Sequence, residues 1–303
     1  MRAARGLALD LALSEIARVF AERDIRAVLL KGPAFARWLY EDPHERSYSD
    51  IDLLVAPEVL ARAGSALVEC GFALVQNYWP SHDPHDWHEV WVRGGKLPAY
   101  IELHHTLCLV SAQPSLVWRR LTEDTRAIEI AGARVEVPAP AASAVILALH
   151  ATQHGAADAG RVRDLREALA RVDFETWRTA TALACELGAE EAFATGLRLD
   201  PGGCELADRL GLRAVSTSRV LRLRASTPPP VAMGIECLAS TPGVTARARI
   251  LIAELIPARG WMRDSYPVAR RGRVGLIAAY VYRPFDLAVK LPAAVRAWLR
   301  VAR

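Results

Sequence analysis

The sequence predicts an α/β protein, with strands and helices alternating in the first half and a mostly helical second half. Two observations carry this reading. Short apolar runs of strand length (Arg26 to Leu30, Ser49 to Val55, Phe72 to Gln76, Glu89 to Arg93, Pro98 to Leu107) alternate with helix-period segments over the first half. From Phe174 onward the chain is alanine- and arginine-rich helix, broken at Pro201-Gly202-Gly203, Pro228-Pro229-Pro230 and Pro242-Gly243. Pro138 and Pro140 mark the expected boundary, giving domains 1–138 and 139–303.

Composition sets limits on the function. The 303 residues are 52% apolar and 24% charged, an ordinary balance for a folded soluble chain. Five widely spaced cysteines without a CxxC pair argue against a disulfide framework or a thiolate zinc site, and a reducing cytoplasm is the expected compartment. The N-terminus lacks a secretory pattern. No apolar run reaches the ~18 residues a membrane span needs, so no stable membrane insertion is expected. Residues 1–150 carry 15 Lys and Arg against 19 Asp and Glu, whereas residues 151–303 carry 23 against 15. The basic half could face an anionic substrate, although a solvated arginine-rich surface is the plainer reading.

Leu7 to Arg23 has apolar residues near a 3.6-residue period and reads as an amphipathic helix. Ala27 to Leu30 is a short buried strand ending in Lys31-Gly32-Pro33, with helical character from Ala34 to Tyr40. Proline suits a first helical position, so this junction presents free backbone N–H groups, a geometry that binds phosphate. Lys31 is one of only three lysines against 35 arginines, which makes it more than a default basic residue. A polar loop from Glu41 then delivers Arg46 and the strand Asp50-Ile51-Asp52-Leu53-Leu54-Val55. Period two puts Asp50, Asp52 and Leu54 on one face. Burying two carboxylates without a partner costs several kcal/mol, so a cation, most simply a divalent one, is expected between them.

Pro57 to Cys70 reads as a helix stopped by Gly71. Next come His82, Asp83, His85, Asp86, His88 and Glu89, crowded into residues 82–89 at spacings with no secondary-structure logic; a polar loop at the mouth of a site is preferred to a metal centre. In the strand from Pro98, Tyr100, Glu102 and His104 share a face, which adds a third carboxylate. Arg126 to Ile130 and Arg134 to Val137 flank Ala131-Gly132 as a hairpin. His150 and His154 stand four residues apart on the helix from Ala141, but Ala151 stands where a zinc protease needs its glutamate. The terminal basic helix from Leu291 could lie on a membrane surface, with docking onto the protein the commoner outcome.

The order Leu30-Lys31-Gly32, then Arg46, then Asp50-Ile51-Asp52-Leu53-Leu54-Val55, then Ile101-Glu102-Leu103-His104 resembles the polymerase-β-type nucleotidyltransferase superfamily. It is most similar to the branch of uncharacterised nucleotidyltransferases, where Lys-Gly replaces the more usual Gly-Ser. The resemblance extends through His150, His154, Gly155 and Asp164 as far as Leu169. It implies a polymerase-β-like core with a small mixed sheet, in which Asp50, Asp52 and Glu102 bind metal and carry the chemistry, with Glu102 helping to deprotonate the acceptor. Lys31, Gly32 and Arg46 would contact the phosphates. His104, His150, His154 and Asp164 are expected to support these groups or meet the acceptor. The implied cofactor is Mg²⁺, with Mn²⁺ as an alternative, and the implied donor is an NTP, ATP by default. The implied reaction moves an NMP to a peptide, small metabolite or RNA and releases pyrophosphate. A non-catalytic nucleotide-binding regulatory module and a tRNA-modifying toxin of the same fold are the alternatives.

Overall fold

The first helix, α1 (Arg2–Glu22), leads into a sheet built from the first half of the chain. The computed structural model describes residues 2–75, 87–156, 158–214, 216–226 and 229–302. The chain continues through β1 (Ala27–Leu29), α2 (Pro33–Leu39), β2 (Ile51–Val55), α3 (Leu60–Glu69), β3 (Ala73–Leu74), β4 (His88–Arg93) and β5 (Ala99–His104). Then follow α4 (Pro114–Thr122), β6 (Thr125–Ile130), β7 (Ala133–Pro138), α5 (Pro140–His154), α6 (Ala159–Arg171), α7 (Phe174–Glu186), α8 (Glu190–Leu197) and α9 (Pro201–Arg209). All of these belong to one compact unit. A second unit, described from Ser216, consists of α10 (Arg219–Ala225), α11 (Pro230–Ser240), α12 (Val244–Leu255), α13 (Arg259–Ser265) and α14 (Gly272–Ala302).

Seven strands form one sheet in the order β3-β4-β5-β2-β1-β7-β6. It is mixed: β2 runs parallel to β5 and β1 parallel to β7, while the other pairs are antiparallel. Alternation along the strands gives the sheet two unlike faces. Ile51, Leu53, Val55, Ile101 and Leu103 pack with Leu9, Leu13, Ile16 and Phe20 of α1 and with Ala63 and Leu67 of α3, in one buried cluster. Each large side chain of that kind contributes about 2 kcal/mol by leaving water, which secures the strands against slippage. The opposite face is left for polar groups.

The β6–β7 hairpin turns through Ala131 and Gly132, both at positive φ (47° and 81°), the twist a two-residue turn requires. The strand expected to run to Gln76 is assigned only over Ala73–Leu74, and its end lies outside the described residues. The expected boundary at 138 falls inside the first unit. The reason is α5: Ala144 to Leu149 are buried all round, so this helix needs neighbours on every side. One neighbour is α8, where Gly196 comes so close that a Cβ would overlap the Ala148 carbonyl, and Thr152 Oγ1 donates to the Ala192 carbonyl at 2.6 Å.

The second unit is built on α14, 31 residues long and continuous through Pro284 and Pro292. One side of it packs Leu276 and Ala279 with Met262 and Ala269, and Ala294 with Leu223 and Ala232. Buried Arg283 pairs with Glu254 at 3.2 Å, tying α14 to α12. Cys70, Cys185 and Cys204 carry free thiols. Among the described residues, no helix is long and apolar enough to cross a membrane.

Candidate active site

The site follows from one register. Asp52 of β2 stands opposite Glu102 of β5, and Leu54 opposite His104. With a side-chain period of two, Asp52, Glu102 and His104 share the face of the sheet turned away from α1 and α3. His88 of β4 is paired with His104, and the two imidazoles stack with centroids 5.1 Å apart.

Lys31 reaches this face from the end of β1. The Leu30 N–H donates to the Asp52 carbonyl at 2.9 Å, which carries the ladder one residue beyond the strand. The chain then turns sharply at Gly32, with φ 60° and ψ −117°, a conformation open essentially to glycine alone. A Cβ there would stand 3.2 Å from the Asp50 carbonyl, and Pro33 opens the two-turn helix α2 immediately afterwards.

The groups are in direct contact. Lys31 Nζ lies 2.7 Å from Asp52 Oδ1 and 4.0 Å from Glu102 Oε2. His104 Nε2 is 3.1 Å from the same Asp52 oxygen and 3.4 Å from Glu102 Oε2. His88 Nε2 stands 4.0 Å from Glu102 Oε1. Burial alone would push the Asp52 carboxyl up, but Lys31 and the His104 hydrogen bond outweigh it and hold the group well below the usual carboxylate range. Glu102 is opposed by burial and by the Asp52 charge, yet it too is lowered, by His104 and Lys31. Burial pulls against the charged forms of Lys31 and His104 as well; their carboxylate partners reverse that and raise both.

Asp50 behaves differently. It lies one residue before the paired register begins, and burial together with the charges of Asp52 and Glu102 pushes its carboxyl up to about 6. The compact group among the described residues that could hold a metal ion is Asp52, Glu102 and His104, whose donor atoms all fall within 4.8 Å of one another. The expected trio had Asp50 in place of His104. His104 belongs to the set because it follows Glu102 by two residues on the same strand, a signal the sequence already carried.

Arg46 does not stand open to a phosphate. Its Nε lies 2.9 Å from both oxygens of Asp164, its Nη2 is 2.8 Å from Oδ2, and its Nη1 donates to the Gly32 carbonyl at 2.9 Å. Tyr40 donates to Asp164 Oδ1 at 2.8 Å, so Asp164 is likewise engaged in a buried clamp. This clamp supports the Lys31-Gly32 turn from behind.

A shallow cleft, open to solvent, starts at Lys31, Glu102 and His104 and is walled by Trp87, Leu107, Leu149, His150 and Gln153. Its contribution from α5 explains why that helix belongs to the catalytic unit. His150 is held well below its ordinary value by burial and by the nearby Lys31 charge, and its Nδ1 is buried without a hydrogen-bond partner. His154 packs edge-on against it with centroids 4.6 Å apart, at the last turn of α5, but does not line the cleft. Sequence reasoning missed Trp87, Gln153 and the place of His88 on the sheet. His82, Asp83, His85 and Asp86 lie outside the described residues.

Residues 1–200 match the family described as "Uncharacterised nucleotidyltransferase". The chain belongs to that family. The match spans both carboxylate strands, the Lys31-Gly32 turn and α5, so every group of the site lies inside the nucleotidyltransferase region. No curated protein sequence matches the chain. Among solved structures, this nucleotidyltransferase is similar to the antibiotic-resistance factor ANT(2'')-Ia in solution, at 13% identity and a TM-score of 0.41 over 61% of this chain and 94% of that one. It is also similar to ANT(2'')-Ia in complex with adenylyl-2''-tobramycin, at 15% identity and 0.40 over 58% and 97%. An antigenic nucleotidyltransferase-like protein from Paracoccidioides brasiliensis gives 15% and 0.36 over 59% and 88%. These likenesses are distant, and it is the family match that places the chain.

Proposed function

We propose that this nucleotidyltransferase moves a nucleoside monophosphate from an NTP, ATP by default, to an acceptor that is a peptide, a small metabolite or an RNA, with release of pyrophosphate. The observation that carries the reading is the side-by-side placement of Asp52 and Glu102 with His104, at the foot of a cleft that begins at Lys31. Two carboxylates and one imidazole with donor atoms within 4.8 Å suit a small divalent cation, Mg²⁺ or Mn²⁺. The Asp50 carboxyl is raised first by burial and then by the charges of Asp52 and Glu102, and a bound cation would offset the charge part. Asp52, Glu102 and His104 would hold the cation, with Asp50 joining them once it is ionised. Such a cation supplies charge neutralisation on the triphosphate, the main requirement of phosphoryl-type transfer.

The remaining work falls to the chain. Lys31, brought onto the site face by the Gly32 turn, would bind donor phosphate oxygens as a mobile positive charge. The Arg46–Asp164 clamp holds that turn through the Gly32 carbonyl and so positions Lys31 without touching substrate. Trp87, Leu107 and Leu149 give the cleft apolar walls against which a base or an acceptor ring can exclude water.

The test incubates the protein with each labelled NTP and a cell extract, with Mg²⁺ or with chelator, and compares wild type with Asp52→Ala and Glu102→Ala. Label transfer that needs the metal and both carboxylates is the expected result. Nucleotide binding without any transfer would indicate a regulatory module instead, and transfer indifferent to both substitutions would overturn the site.

A further inference from the structure

The second unit carries a surface that its own fold does not cover. Along α14, Val274, Ile277, Val281, Phe285 and Val289 recur at three- and four-residue spacing and are each between 63% and 82% exposed. The opposite side of the same helix is also apolar, and there Leu276, Ala279 and Ala294 are buried. A helix apolar on both sides is ordinarily enclosed. This one presents a row about 22 Å long to its surroundings, at 1.5 Å per residue. On α12, Val244, Leu251 and Ile252 are exposed as well.

Charge indicates what covers the row. Residues 216–303 contain 15 Lys and Arg against four Asp and Glu, far more basic than the chain as a whole. The excess flanks the row: exposed Arg271, just before α14, and Arg273 precede Val274, and exposed Arg296 and Arg300 follow Val289. The one acidic residue of the helix, Asp286, is paired with Lys290 and accepts a hydrogen bond from the Tyr266 hydroxyl, each at 2.7 Å. A second copy of so basic a unit would be repelled. A nucleic acid would find a row that is aliphatic except for Phe285, with Tyr282 exposed beside it, where stacking of successive bases calls for a series of aromatic or guanidinium planes.

We propose that α14 docks the second unit onto an anionic lipid bilayer, lying in the plane of the interface with its apolar row among the acyl chains and its terminal arginines on the headgroups. An apolar face bounded by basic residues is the pattern of helices that lie on membranes. Spanning is ruled out for α14 by composition, since no helix among the described residues is long and apolar enough to cross, and Arg283 sits near its middle.

The test is sedimentation of the full chain with vesicles of phosphatidylcholine alone or mixed with phosphatidylglycerol. Binding to the mixed vesicles only, weakening as salt rises, is expected. Val281→Asp with Phe285→Asp should lower partitioning at least about tenfold, because both side chains leave the acyl layer and bring charge. Arg273→Gln and Arg296→Gln should each lower it about fivefold, the worth of one basic residue at an anionic surface. All four positions are exposed, so unchanged thermal melting of the variants shows the fold intact; should the double aspartate variant melt early, Val274→Ser with Val289→Ser replaces it. No binding to anionic vesicles, or binding indifferent to these substitutions, overturns the proposal. So does a dimer that Val281→Asp dissolves, or RNA binding by a chain that ignores vesicles.

Discussion

Replacing Arg46 by Met removes the positive half of a buried clamp and keeps most of its volume. Arg46 and Asp164 are 8% and 3% exposed. The substitution deletes the paired contacts to Asp164 at 2.8–2.9 Å and the hydrogen bond to the Gly32 carbonyl at 2.9 Å. Asp164 keeps only the Tyr40 hydroxyl, at 2.8 Å. Removing one partner of a buried ion pair costs about 3–5 kcal/mol, mostly because the surviving charge is stranded. For a unit of this size that corresponds to a fall in Tm of about 10 °C. Pairing Arg46→Met with Asp164→Leu removes the stranded charge, so the double variant should recover more than half of the loss. Thermal and urea unfolding of the two single variants and the double variant, combined as a double-mutant cycle, measures the coupling. A loss below about 1 kcal/mol in Arg46→Met, or additive losses in the cycle, would refute the clamp and return Arg46 to the role of a free phosphate ligand.

Gly32→Ala places a Cβ 3.2 Å from the Asp50 carbonyl at a backbone angle side chains rarely adopt, so it should cost about 1–3 kcal/mol in unfolding experiments and displace Lys31 from Asp52. His150 is held well below its ordinary value of 6.5 in the folded chain; as pH falls below 6.5 the unfolded chain takes up a proton that the folded one refuses, so stability is lost toward acid. His150→Gln should therefore show a smaller fall in Tm than wild type between neutral and mildly acidic pH, and an equal fall would contradict the burial of this imidazole. Glu102→Gln should weaken Mn²⁺ binding, read by the paramagnetic broadening of nearby resonances, while leaving the melting temperature within a few degrees, because Glu102 is the partly exposed carboxylate of the site.

Much of the site was legible because strand periodicity is short-range information. The alternation in residues 50–55 and 100–104 put Asp52, Glu102 and His104 on common faces, and the Ala131-Gly132 pair announced its hairpin. What could not be read was which distant groups meet. Arg46 beside a carboxylate motif looks the same in sequence whether it awaits a phosphate or pairs with Asp164, 118 residues away. The prolines at 138 and 140 looked like a boundary because they end a strand and open a helix, but only the three-dimensional packing of α5 shows that the helix closes the unit it seemed to leave. Pro284 and Pro292 likewise hid the continuity of α14, since a helix can absorb a proline on an exposed flank at a cost that sequence alone does not reveal.

The pairing of Asp52 with Glu102 has a further consequence. Their separation is inherited from the distance between neighbouring strands, and those strands are anchored on the far side by Ile51, Leu53, Ile101 and Leu103. The spacing of the two carboxylates, the bite a cation would meet, is thus a property of the backbone. Substitutions around the cleft can retune charge, shape and selectivity for the incoming molecule while the bite stays the same, so the part of this protein free to diversify is the wall and not the floor.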